Sequence, residues 1–118
     1  MLIGTPIEIR TVTGIQDNER ASILNFLQGA VYCWCKNRRD EWFSLRDLMG
    51  GDNTEWAGTP LLALYLKHEQ TSSDPVRQAG QDGGWLLKRT IQEDLRHFET
   101  REQHLIREYR WLVNQNAA

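Results

Sequence analysis

Five side chains within "GWLLKRTIQEDLRHF", Gly84 to Phe98, are suited to one kind of chemistry. At about 3.6 residues per turn, Trp85, Arg89, Gln92 and Arg96 fall on one side of a helix spanning residues 84–96. Lys88 lies at the margin of that stripe, and Leu87, Ile91 and Leu95 fall on the other side. The acids Glu93 and Asp94 lie off it. Arginine donates two hydrogen bonds to a guanine edge, glutamine pairs in the same way with adenine, and lysine meets phosphate. The same residues also describe an ordinary solvated face, since Arg, Lys and Gln are mostly exposed in folded proteins. On the stripe alone the solvated face is the favoured reading.

Other combinations offer less. Cys33 and Cys35 flank Trp34 within an amphipathic segment. Zinc sites need a second ligand pair and redox pairs have two intervening residues, so small core or boundary residues are the expectation. On a continuous helix Glu93, His97 and His104 would share a side, but an i, i+4 Glu–His pair needs no metal. Phosphate-loop, dinucleotide, zinc-protease and nucleophile-elbow patterns are all missing. The expectation is a protein without enzymatic activity, metal or cofactor.

Composition narrows the class. A chain of 118 residues with 40% hydrophobic content and five tryptophans reads as a single folded domain over 1–118. A net charge of −2 argues against coating nucleic acid by bulk electrostatics, which needs clustered Lys and Arg, but leaves room for a local basic face. No apolar run approaches the roughly 20 residues of a membrane span. The start "MLIGTPIEIRT" lacks a secretory pattern. A cytoplasmic setting without membrane contact is expected.

The elements that must position these residues follow from periodicity. Residues 1–16 contain Ile7, Ile9 and Thr11 alternating with Glu8, Arg10 and Val12, the pattern of a strand or extended arm. Asp17 and Asn18 offer N-cap oxygens to a helix whose apolar stripe is Ile23, Phe26, Leu27, Ala30, Val31 and Trp34. Trp42 and Phe43 form a short extended piece. Ser44 then caps a small helix, with Asp47 closing a capping box and Gly50 and Gly51 ending the turn. Residues 52–75 read as an insertion holding the helical run that follows Pro60. The stretch 71–84 reads as mainly loop, broken by its glycines, with Asp74-Pro75 able to start a short helix.

Two readings of the C-terminal region stand. "RHFETREQHLIREYRWLV" is rich in aromatic and β-branched residues and alternates as two short strands with the turn at "REQH". Leu105, Ile106, Tyr109, Leu112 and Val113 also fit a helical period, which would give an all-α bundle with a long C-terminal helix.

In the order helix, short extended piece, small helix, basic helix and hairpin, the chain resembles the winged helix-turn-helix superfamily over Ala21 to about Leu112. The resemblance implies an α+β, mostly α fold. Its recognition helix would lie at 84–96, with Lys88, Arg89, Gln92 and Arg96 toward double-stranded DNA, and its wing would add Arg101 and Arg107. A transcriptional regulator, acting as a dimer, is what it implies. The alternative is a protein-interaction or oligomerisation module of the same fold, a homodimer or one with a protein partner, using Trp56, Trp85 and Trp111, since exposed aromatics beside arginine are favoured in interfaces.

Overall fold

A computed structural model of the chain describes residues 1–4, 7–51 and 56–113. It is an α+β fold: helices α1 (Asp17–Asn37), α2 (Leu45–Leu48), α3 (Leu62–Glu69) and α4 (Pro75–Glu93), then strands β1 (Phe98–Gln103) and β2 (Ile106–Trp111). The long-helix alternative for residues 97–113 is therefore excluded.

In α1 the start shifts by one residue from the expectation. Glu19 reaches back to accept from the Gln16 amide at 2.8 Å, so Gln16 takes the cap position and Asp17 is already helical. The stripe also turns slightly. Ile23, Leu27, Val31 and Cys35 are buried at strict four-residue spacing, while Phe26, Ala30 and Trp34 flank them partly buried, Phe26 and Trp34 packed against the core. Cys33 faces solvent and Cys35 the core, where burial pushes its thiol up to about 11.

Ser44 and Asp47 form the expected reciprocal cap of α2: the Asp47 carboxylate accepts from the Ser44 amide at 2.9 Å and the Ser44 hydroxyl from the Asp47 amide at 3.3 Å. Of residues 52–75, positions 52–55 lie outside the described residues. The remainder holds α3, which packs along α4.

The glycines of 80–84 do not break the backbone. With Asp74 accepting from the Arg77 amide at 3.2 Å and Pro75 in the first turn, α4 runs unbroken through Gly80, Gly83 and Gly84. Gly83 is there for contact: a Cβ would stand 2.8 Å from Leu45 Cδ2, so the missing side chain lets α2 and α3 approach. Tertiary packing has overridden a poor helix former. The helix ends at Glu93, because Asp94 turns extended. Leu95 thus leaves the apolar face predicted for it and stands 95% exposed. Leu87 and Ile91 are buried as expected.

β1 and β2 pair antiparallel with Phe98 opposite Trp111, Arg101 opposite Glu108 and Glu102 opposite Arg107. The turn is His104-Leu105, both at positive φ (51° and 65°), as a two-residue type I′ loop requires. Neither residue is the Gly or Asn that favours such a turn. Phe43 bridges Tyr109 on the outer edge of β2, and Leu2 bridges Phe98 in parallel on the outer edge of β1. Phe43, Phe98 and Tyr109 converge edge-to-face or tilted at 6.1–6.3 Å and join Leu27, Leu87 and Ile91 in one core.

Candidate nucleic-acid interface

The pleat of the hairpin sorts its arginines. Successive residues of a strand point to opposite faces, so Arg101 lies with Glu99 and opposite Glu108 and Arg110, on one face. Arg107 lies with Tyr109 and Trp111 on the other, the face whose base enters the core. The two wing arginines therefore stand on opposite faces of the hairpin. Arg101 donates to Glu108 at 2.7 Å and its guanidinium sits 4.1 Å from the centroid of the Trp42 ring, which Arg110 also covers at 4.8 Å. Arg107 is exposed, and among the described residues it makes no ion pair.

On α4, Lys88 and Trp85 share the outward side with Gln92. The Lys88 ammonium stands 5.2 Å from the Trp85 ring. Partial burial lowers its pKa, Arg107 lowers it further and Glu8 opposes both. Arg89 pairs with Glu93 one turn on at 3.2 Å, both well exposed. Such a pair contributes about 0.3–0.5 kcal/mol and yields readily to a phosphate.

Gln92 and Arg96 are differently employed. The Gln92 side-chain oxygen accepts from the Leu2 amide at 3.0 Å, fastening the N-terminal segment to the helix. Arg96 lies beyond α4 and not on its stripe. It donates to both oxygens of buried Asp94 at 2.8–2.9 Å, while Gln28 donates to the same carboxylate at 2.9 Å. Burial alone would raise the Asp94 pKa, but the bonds from Arg96 and Gln28 and the Arg96 charge hold it below the ordinary carboxylate range. The Arg96 guanidinium also lies 5.7 Å from the Tyr32 ring and 5.8 Å from that of Trp111. It is a structural arginine.

The tryptophans divide likewise. Trp56 is buried with the core, which removes it from any surface. Trp111 is half-buried beneath Arg39 at 5.5 Å and Arg96. Trp85 is half-buried, and Arg10 covers its ring at 5.1 Å beside Lys88. Arg10 carries no signal of this role in the sequence. Its alternation with Ile9 marks it as outward on the arm, but nothing local says that the arm crosses α4.

The helical arrangement that would bring Glu93, His97 and His104 together is absent, since α4 stops at Glu93 and His104 sits at the hairpin tip. Lys67 and His68 both contact Asp82 at 2.8 Å, a polar cluster joining α3 to α4. No helix of the described residues is long and apolar enough to cross a membrane. No family model, curated protein or solved structure matches the chain.

Proposed function

We propose that the protein is a non-enzymatic module of winged-helix type that binds double-stranded DNA, as a transcriptional regulator would. The element order supports this: α1, the Phe43 segment on the edge of the last strand, two short helices, α4 and a terminal hairpin. The observation that carries it is that order together with Lys88 on the outward side of α4 and the exposed Arg107 on β2 of the hairpin that follows. Cations on α4 and on the hairpin suit phosphate, with Glu8 the charge that opposes Lys88. Arg89 joins them by exchanging Glu93 for phosphate, whereas Gln92 and Arg96 stay with Leu2 and Asp94.

The test is a fluorescence-anisotropy titration against labelled random duplex DNA at low and moderate salt. Binding should weaken steeply with salt, and Lys88→Ala/Arg107→Ala should flatten the logarithmic salt slope by about 2, near 0.9 for each phosphate no longer neutralised. Equal slopes for both proteins would remove this surface from consideration.

One observation favours the protein-interaction reading. Tyr32 and Leu95 are exposed and line a shallow cleft of about 480 Å³ with Gln28, Glu93, Asp94 and Arg96. Aromatic and arginine side chains beside an exposed leucine suit a protein partner. Under that reading Leu95→Glu abolishes association in sedimentation while Lys88→Ala/Arg107→Ala does not.

A further inference from the structure

The N-terminal segment crosses the side of α4 that a recognition helix would offer to bases. Leu2 is fastened to the end of that side through Gln92, and its neighbours clip to β1: Phe98 donates to the Met1 carbonyl at 2.9 Å and Ile3 to the Phe98 carbonyl at 3.1 Å. Farther along, Arg10 lies over Trp85, about two turns earlier in the helix. Val12 is then buried, and its carbonyl accepts from Arg20 at 2.5 Å. The segment is thus anchored at Leu2 and at Val12, and it touches α4 at Gln92 through Leu2 and at Trp85 through Arg10.

Between the anchors the hold is different in kind. Among the described residues, no backbone–backbone hydrogen bond involves residues 7–11. Ile7 and Ile9 are only partly buried, Ile7 against the edge of the core. The Glu8–Arg10 pair at 2.9 Å is about two-thirds exposed at both side chains. What remains is the contact of Arg10 with Trp85, the attraction between Glu8 and Lys88 and the partial burial of two isoleucines.

Size makes this matter. A helix with its side chains is about 10–12 Å across, and the major groove is about 12 Å wide. A helix that carries an extended segment on its outer side does not enter. We infer that residues 7–11 are a strap that covers the outward side of α4 and must move aside before Trp85, Lys88 and Arg89 can reach base edges. With both anchors in place the strap opens without unfolding the domain. The inference rests on the DNA-binding reading and adds its regulation. In the closed state Lys88, Arg89 and Arg107 are offered to phosphate but not to base edges.

Two variants test it by the same anisotropy titration. Arg10→Ala removes the cation held over the Trp85 ring, and Ile7→Ser removes apolar burial without changing charge. If the strap masks the helix, each variant raises affinity by about two- to fivefold, as expected when the closed state is deprived of one exposed cation–π pair or its equivalent. Arg10→Ala decides the sign, because an arginine that touches phosphate would on removal weaken binding and flatten the salt slope. Wild-type binding accompanied by equal or weaker binding of both variants overturns the strap and leaves the DNA reading standing. No binding by any of the three proteins at low salt overturns the DNA reading, and the strap as its regulator falls with it. Slow hydrogen exchange at Leu87 and Ile91 in each variant establishes that the domain is intact.

Discussion

Arg96 and Arg89 are seven residues apart, each close to a carboxylate, and look alike in the sequence. In the structure they belong to different regions. At the base of the sheet Arg96 closes on Asp94, whose side chain is 3% exposed, and Gln28 and the Arg96 amide complete the carboxylate's bonds. On the outward side of α4, Arg89 and Glu93 are 40% and 61% exposed and hold only each other. The first pair fixes where α4 stops and β1 begins. The second can change partner at almost no cost. Burial, not residue type, separates an arginine that builds the fold from one that can bind a ligand.

The largest effect that separates the two regions is expected from Asp94→Ala. It leaves Arg96 partly buried without its anion and frees Gln28, so chemical denaturation should show a loss of about 3 kcal/mol, toward the low end for a broken buried pair. A loss below about 1 kcal/mol would place Asp94 among the surface pairs and erase the contrast. The pH dependence follows from the depressed Asp94 pKa. Its stabilisation is complete above the unfolded-state carboxylate pKa of about 3.9 and is lost as pH falls through the lower folded value. Below about pH 4 the wild type should therefore lose stability faster than Asp94→Asn, which has no proton to gain there. Parallel curves for the two proteins would show that Asp94 titrates as it does in the unfolded chain.

A smaller effect concerns the glycines of α4. Gly83→Val should destabilise by about 1–3 kcal/mol, since the new side chain meets Leu45, Leu61 and Leu64. Gly84→Ala meets open space and should stabilise by about 0.5–1 kcal/mol. Thermal melts that showed both variants stabilised would mean that α4 does not pack through Gly83. The hairpin tip offers a gain of similar size. His104→Asn with Leu105→Gly supplies residues that tolerate positive φ and should add about 1 kcal/mol.

These sites also show which parts of the molecule were legible in the sequence. Ser44 and Asp47 announced their helix because a capping box is local chemistry. The hairpin showed itself through the strand-favouring residues of β2, although His104 and Leu105 hid the turn: the sheet and core impose a backbone that neither residue prefers. Gly83 reads as a breaker along the chain and is a contact in space. The candidate interface was legible in part. Lys88 and Arg107 could be named from their types, but the face of the hairpin that Arg107 takes depends on the strand register. Arg10 over Trp85 and Leu2 on Gln92 join residues 75 and 90 positions apart, and no period or spacing encodes such contacts. Arg96 was misplaced because a helical projection extends past the point where Asp94 ends the helix.

The smallest effect on stability bears most directly on the comparison. Arg89→Ala removes an exposed i, i+4 pair and should change the unfolding free energy by no more than about 0.5 kcal/mol. If the outward side of α4 meets DNA, the same substitution should flatten the salt slope of binding by about 0.9. A folding effect near zero beside a definite binding effect is what an available arginine predicts. Arg96→Ala should do the reverse, lowering stability by more than about 1 kcal/mol, with a binding change no larger than the loss of folded protein explains. If instead both variants weaken binding equally at full folding, Arg96 must exchange Asp94 for phosphate. The two regions would then act as one surface despite their difference in burial.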